Sequence, residues 1–278
     1  MFIHGIGRND WVLEIGSGHE PYPRSDVLLD KYLDNRERAS RLVTGRRPFF
    51  LSDANRMPFK DKSFDFVICS HVLEHATDVK AFLDEVQRVG KAGYIETPSE
   101  IWEMMFSSRD YHRWIVLNHD GCLRIRGKEA FNHTPFEDLF DRMAKKNKFI
   151  NYIVWGAFRN VFITTYYWRE TIRHEIIAPI PFLTDLRDPA SIQKLLDQSA
   201  PPIRSLLQYA FYKLYRALGR RIPYGMYPGR IPYRRFSAVL NHLECVRCRG
   251  DLVFNGSGLR CRSCEAEYPI RNGMALFG

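Results

Sequence analysis

Short apolar runs separated by polar turns dominate the first hundred residues. Trp11-Val-Leu-Glu-Ile15, Val27-Leu-Leu29, Phe49-Phe-Leu51, Phe64-Asp-Phe-Val-Ile-Cys69 and Ala92-Gly-Tyr-Ile-Glu96 each read as a short buried strand. They run out into Gly16-Ser-Gly18, Asp30, Asp53, Ser70-His71 and Thr97-Pro98. Between the fourth and fifth runs, Val79, Phe82, Leu83 and Val86 recur at helical spacing, which predicts a helix from Val79 to Val89. Strands alternating with helices predict an α/β fold with a mostly parallel sheet. Phe136 to Lys148 reads as another helix. Phe149 to Trp155 and Asn160 to Tyr167 then read as a strand pair turning at Gly156, an antiparallel closure of the parallel sheet.

From Arg169 the pattern changes. Pro179, Pro181, Pro189, Pro201 and Pro202 interrupt short helices, and Ile203, Leu206, Leu207, Ala210, Phe211, Leu214 and Leu218 fall on one helical face. An irregular segment with Pro223, Gly225, Pro228, Gly229 and Pro232 follows. These shifts divide the chain into 1–168, a helical connector 169–242 and a small module 243–278. The most apolar stretch, Phe149 to Trp168, is broken by Asn151, Arg159 and Asn160, short of the roughly 18 residues needed to span a bilayer.

Composition narrows this further. At 278 residues, 45% hydrophobic and 14% aromatic, the chain is not a disordered one. The net charge of +9 is regional: Gln198 to Leu243 holds no Asp or Glu but carries Arg204, Lys213, Arg216, Arg220, Arg221, Arg230, Arg234 and Arg235. Met1 to Asp10 shows no export signal, so a cytoplasmic location is expected. In that compartment the pairs Cys245-Val-Arg-Cys248 and Cys261-Arg-Ser-Cys264 read as a metal site rather than disulfides. Four thiolates suit tetrahedral Zn2+ in a closed, structural centre, with Gly250, Gly256 and Gly258 easing the turns.

The glycine pair after the first strand would let a ligand approach the backbone. A dinucleotide and S-adenosylmethionine compete for such a loop. His19 to Asp26 spans eight residues with two prolines, too few for a crossover helix. A dinucleotide needs that helix to hold its pyrophosphate, whereas S-adenosylmethionine has no phosphate. Asp30 also stands only 12 residues after Gly18 (30 − 18), against roughly 20 in dinucleotide folds.

Val12-Leu-Glu-Ile-Gly-Ser-Gly18, Asp30, Ser52-Asp-Ala54, Met57-Pro-Phe59 and Ser63-Phe-Asp-Phe-Val-Ile-Cys-Ser-His-Val-Leu-Glu-His75 together resemble class I S-adenosylmethionine-dependent methyltransferases, in particular the group with the quinone-biosynthesis enzymes. The resemblance covers roughly residues 11 to 98. It implies a Rossmann-like sheet, mostly parallel with an antiparallel last strand. It implies that Glu14, Gly16, Ser17 and Gly18 line the methionine end of the cofactor and that Asp30 accepts both ribose hydroxyls. Asp53 and Ala54 would meet the adenine, and Ser70 and His71 would floor the site near the methyl group. Two features depart from the family: Glu20 replaces the third glycine, and the first crossover helix is missing. Arg24 is then a candidate partner for the methionine carboxylate.

Methyl transfer needs alignment of the nucleophile, and a base only where the nucleophile carries a proton. His71 is the first candidate base; the alternative is that it packs under the cofactor. His75 reads as structural. His112, with Arg113 and Trp114, is a second candidate in the region that covers the acceptor in the family; the alternative is an ordinary surface run.

Cys248-Arg-Gly-Asp-Leu252, Leu259-Arg-Cys261, Cys264-Glu-Ala-Glu-Tyr-Pro-Ile270 and Asn272-Gly-Met-Ala-Leu276 resemble the small zinc-ribbon proteins that bind and activate methyltransferases acting on transfer RNA, ribosomal RNA and release factors. This implies an intramolecular contact between ribbon and methyltransferase domain, with the ribbon over an apolar face. The connector, with Tyr209, Tyr212, Tyr215, Tyr224, Tyr227 and Tyr233 among its charges, reads as an RNA-binding face, an anionic-membrane helix or a core-packed helix. The expected activity is S-adenosylmethionine-dependent methyl transfer to a small molecule, a glycan or lipid-linked acceptor, or RNA. The alternatives are a non-catalytic Rossmann-plus-zinc-ribbon protein binding RNA or a protein partner, and a nicotinamide oxidoreductase, which the missing helix disfavours.

Overall fold

The computed structural model describes residues 3–34, 40–44, 47–106, 111–128, 135–178, 188–197, 206–211, 213–214, 217 and 236–277. The five apolar runs form β1 (Val12–Ile15), β2 (Val27–Asp30), β3 (Phe49–Leu51), β4 (Phe66–Ser70) and β5 (Ala92–Pro98). They pair in parallel in the order β3-β2-β1-β4-β5. Their near-continuous burial, with Val12, Leu13, Val27, Leu28, Phe49, Phe50 and Val67 wholly inside, is what a sheet covered on both faces requires. No helix joins β1 to β2, in keeping with the two prolines there. The crossover from β4 to β5 is α1 (Val79–Val89), started by Asp78, whose side chain accepts from the Ala81 N–H at 2.9 Å. Val79, Phe82, Leu83, Val86 and Val89 form its buried face.

Beyond β5 come α2 (Glu100–Phe106), β6 (Trp114–His119) and β7 (Cys122–Gly127). The hairpin of β6 and β7 turns on Asp120 and Gly121, both at positive φ (49° and 73°), the conformation of a two-residue primed turn. α3 (Pro135–Lys146), α4 (Lys148–Tyr152) and α5 (Arg159–Phe162) lead into β8 (Ile163–Arg169), which lies antiparallel to β5 over its whole length. β9 (His174–Ile176) completes a three-stranded sheet with β7 and β6, and α6 (Pro189–Asp197) follows. The expected strand from Phe149 to Trp155 is not formed. That segment is α4 continued by a π-helical turn, Ile153–Ala157. Ile150, Ile153, Val154, Phe158 and Val161 pack at helical spacing against Trp102, Phe106 and Phe162; a short apolar run satisfies either period.

The C-terminal strands are β10 (Leu252–Phe254), β11 (Gly258–Cys261), β12 (Glu267–Arg271) and β13 (Met274–Leu276), an antiparallel meander. β13 then pairs in parallel with β3, Ala275 opposite Phe50, so the meander extends the main sheet to ten strands. Phe277 donates its N–H to Leu51 O at 2.8 Å. Phe50 packs on Phe236, Phe59 and Phe277, with ring centroids 5.4, 5.0 and 6.2 Å away. The fold is therefore the expected Rossmann-like α/β sheet, with an antiparallel last strand and a small C-terminal strand region.

Ile203, Leu218, seven of the eight basic connector residues (all but Lys213) and Tyr212, Tyr215, Tyr224, Tyr227 and Tyr233 lie outside the described residues. Residues 206–211 are helical, and Leu206, Leu207 and Phe211, like nearby Leu214, are exposed. Among the described residues no helix is long and apolar enough to cross a membrane.

Candidate active site and four-cysteine centre

A cleft opens at the C-terminal ends of β1 to β4, where open α/β sheets take ligands. Gly16, Gly18, Asp30, Asp53, Ala54 and His71 line it. Gly16 and Gly18 both have positive φ (65° and 55°), and a Cβ on Gly16 would stand 2.2 Å from Val72 Cγ2. Glycine at position 16 is thus required on two counts, backbone conformation and space. The Gly16 N–H donates to Leu29 O at 2.8 Å, and the Gly18 N–H to Asp30 Oδ2 at 3.1 Å. Asp30 thereby braces the loop while its carboxylate, which also accepts from the Tyr32 N–H at 3.2 Å, borders the cleft. Asp53 pairs with Lys31 at 2.9 Å and accepts from the Asn55 N–H at 2.8 Å.

Three predicted cofactor residues stand back from the cleft. Glu14 accepts from the Tyr22 N–H (2.7 Å) and the Ser25 hydroxyl (2.5 Å), so its carboxylate holds the helix-free β1–β2 link in place. Ser17 is buried outside the lining, and the Ser70 hydroxyl reaches Glu96 Oε1 at 3.4 Å. Arg24 is committed elsewhere: it donates to Gly7 O, Arg8 O and Asp10 O and pairs with Asp26 at 2.9 Å. It does not line the cleft.

His71 sits at positive φ (57°) between two carboxylates, with Nδ1 3.4 Å from Glu74 and Nε2 3.3 Å from Glu96. Burial works against its charge, but the two carboxylates outweigh it and raise the imidazole to about 9. It holds a proton near neutrality, which suits a charge partner better than a base. Burial likewise works against the charge of Glu96, yet Arg159, His71 and the Tyr94 hydroxyl hold its carboxyl well below the ordinary range. His112 is buried behind the cleft, with Nδ1 2.6 Å from Glu103, which Lys128 also meets at 2.7 Å. Arg113 lines the cleft and donates to His75 O at 3.0 Å; Trp114 donates its indole N–H to Ala76 O at 2.7 Å. The sequence reading placed Glu96, with Thr97, Pro98 and Ser99, in a candidate cluster after the fifth strand, but gave no role to the buried acids Glu74 and Glu103. Glu74 lay within a quoted motif and Glu96 at a strand end, but nothing local marks Glu103.

The four cysteines converge. Cys245 and Cys264 Sγ lie 3.6 Å apart and Cys248 and Cys261 Sγ 3.4 Å, close to the roughly 3.8 Å expected around tetrahedral zinc at ~2.3 Å. The residue after each pair, Arg249 and Glu265, adopts positive φ (62° and 58°). Backbone N–H groups of Arg247 and Ser263 donate to Cys245 and Cys261 Sγ at 3.4 Å. This donor set fits Zn2+.

Comparison with known proteins agrees with the first part of this arrangement. Residues 25–95 match the family model described as a methyltransferase domain. The ubiquinone/menaquinone biosynthesis C-methyltransferase UbiE of Xylella fastidiosa is 31% identical over 109 residues, covering 35% of this chain and 43% of the relative. The chain thus spans less than half the length of that relative. Among solved structures, the YcgJ protein of Bacillus subtilis is 25% identical over 32% of this chain and 44% of its own, with a TM-score of 0.25. A SAM-dependent methyltransferase of Thermotoga maritima is 24% identical over 32% and 44%, with a TM-score of 0.26. The chain carries a methyltransferase domain of the S-adenosylmethionine-dependent kind.

Proposed function

We propose that the protein transfers a methyl group from S-adenosylmethionine, bound in the cleft between the glycine loop and Asp30, to an acceptor entering beside His71 and Arg113. The observation that carries this reading is Asp30: a buried carboxylate at the end of β2, tied to the Gly18 N–H and bordering the cleft, beside a β1–β2 link with no helix for a pyrophosphate. A carboxylate there suits a ribose diol. Gly16 and Gly18 admit the methionine end, and Asp53 with Ala54 would meet the adenine. Glu14 and Ser17 shape the loop from behind. The ribbon holds one structural Zn2+ through Cys245, Cys248, Cys261 and Cys264, in the manner of the activator proteins it resembles.

The test is calorimetric titration of the zinc-replete chain with S-adenosylhomocysteine, with NAD as a parallel control. Micromolar binding of the first alone is expected. Asp30→Ala removes two charge-assisted hydrogen bonds to the diol, at least about 3 kcal/mol or ~100-fold in affinity. Binding of NAD alone, or undiminished binding of S-adenosylhomocysteine by the folded variant, refutes the assignment. Absence of both would favour the non-catalytic binding protein.

A further inference from the structure

We propose that Glu74, His75 and His112 form a binding site for one divalent first-row metal ion, beside the cleft and separate from the four-cysteine centre. One ligand atom from each residue lies within 4.8 Å of the others. Glu74 and His75 share the single helical turn after β4, Leu73–His75. The Arg113 N–H donates to Glu74 O at 2.6 Å, which brings His112, next in the chain, onto the same spot.

Two independent features point to a cation. Glu74 is 1% exposed, and both its carboxylate oxygens are buried with no well-formed hydrogen bond among the described residues. The His71 imidazole, shared with Glu96, is its ion-pair partner, with Nδ1 3.4 Å from Oε1, and His75 Nε2 stands 3.8 Å from the same oxygen. Buried carboxylates are ordinarily hydrogen-bonded, ion-paired or bound to metal, and one imidazole shared with Glu96 leaves room for a further cation here. The second feature is His112. Its Nδ1 faces Glu103 at 2.6 Å, which leaves Nε2, on the other side of the ring, as the nitrogen not engaged with that carboxylate. Lys128 in turn holds Glu103. A carboxylate behind a histidine is how metal-binding imidazoles are oriented. The His75 ring is held by stacking on Tyr111, 5.3 Å between centroids, and by edge contact with His112 at 4.7 Å.

Two imidazoles and a carboxylate suit Zn2+, Mn2+ or Fe2+ and leave coordination positions open. Ligand atoms around an ion at ~2.1 Å stand about 3.4 Å apart, against a span of up to 4.8 Å here, so the set closes by up to about 1.4 Å on loading. His75, His71 and Arg113 line the cleft, so an ion on His75 is reachable from it. On the methyltransferase reading, and resting on it, the ion would take a hydroxyl oxygen of the acceptor and lower its proton affinity. The hydroxyl proton leaves to solvent, the oxygen bonds to the methyl carbon as the S–C bond breaks, and S-adenosylhomocysteine departs neutral at sulfur.

The test titrates the zinc-replete full chain with Mn2+, read by electron paramagnetic resonance and calorimetry. Four thiolates prefer zinc to manganese, so Mn2+ reports the second site. One Mn2+ per chain is expected, with affinity at least tenfold weaker in Glu74→Gln and His112→Asn. Glu103→Gln, a positioning change, should weaken it about tenfold while leaving the ribbon zinc in place. Should a buried variant fail to fold, His75→Gln at the cleft wall decides the matter. Failure of the wild type to bind Mn2+ at millimolar concentration, or equal binding by Glu74→Gln, overturns the proposal. Titrating the same samples with S-adenosylhomocysteine separates the readings: its binding without Mn2+ refutes the metal site alone, and Mn2+ binding without it refutes the cofactor reading alone.

Discussion

Glu85→Gln tests how the C-terminal meander is fastened to the sheet. Glu85 lies on the inner face of α1, 7% exposed, and accepts from the Met57 N–H at 3.2 Å and from Arg88 at 2.7 Å. It also accepts from Arg249, the residue immediately after the first cysteine pair. Glu244 meets the same two arginines, Arg88 at 3.1 Å. Two cations are thus shared by two carboxylates whose side chains are each 9% exposed, across the junction between α1 and the ribbon. Glutamine keeps the volume and one acceptor, and turns an N–H toward an arginine. Breaking a fully buried pair costs about 3–5 kcal/mol. Arg249, at 36% exposed, falls nearer the surface regime of about 0–1 kcal/mol, and Asp61 remains for Arg88 at 2.8 Å. We therefore expect a loss of about 2 kcal/mol between these limits, or about 4–8 °C in Tm. The assay is urea unfolding of zinc-replete protein by tryptophan fluorescence, run as a double-mutant cycle with Arg249→Gln. A coupling of about 1 kcal/mol is expected. A coupling under about 0.3 kcal/mol would refute the claim that this pair clamps the ribbon to α1.

Three further outcomes follow from the same contacts. Stripping zinc should melt the ribbon and leave β3 as a bare edge strand beside Phe50. Light scattering and dye binding should then rise and reverse on adding zinc, and zinc-free protein with an unchanged Tm would refute this. Gly16→Ala adds a left-handed backbone penalty of about 1–2 kcal/mol to overpacking against Val72 of about 1–3 kcal/mol; urea unfolding should show a loss of about 3 kcal/mol, and a loss below 1 would mean the loop relaxes freely. Arg159→Met removes a partner that keeps Glu96 ionised. A carboxyl depressed in the folded state stabilises above its unfolded pKa and loses that contribution as pH falls. The stability gap between wild type and variant should thus be widest near pH 6 and shrink toward pH 3; a gap independent of pH would contradict the role given to Arg159.

Local patterns carried the parallel strands because each apolar run is buried on both faces and ends at a glycine, an acid or a polar pair, as at Ile15-Gly16 and Leu29-Asp30. The β6–β7 hairpin was legible but overlooked: Asp120-Gly121 between Trp114-Ile-Val-Leu117 and Cys122-Leu-Arg-Ile125 is a strong primed-turn signal. Phe149 to Trp155 shows the opposite case. Its seven residues fit a strand or a helix equally well, and only packing against Trp102 and Phe162 chooses. What local sequence cannot express is partnership at a distance. Nothing in Met274-Ala-Leu276 says that its backbone completes the edge of β3, 225 residues earlier (274 − 49). Nothing beside His112 says that Glu103 lies behind its ring and Glu74 within reach. The glycine loop is legible because its geometry is written in consecutive residues. The acid–histidine cluster becomes visible only when β5, β6 and the turn after β4 come together, and it is there that a buried carboxylate sharing one imidazole with a second acid asks for an explanation from chemistry rather than from folding.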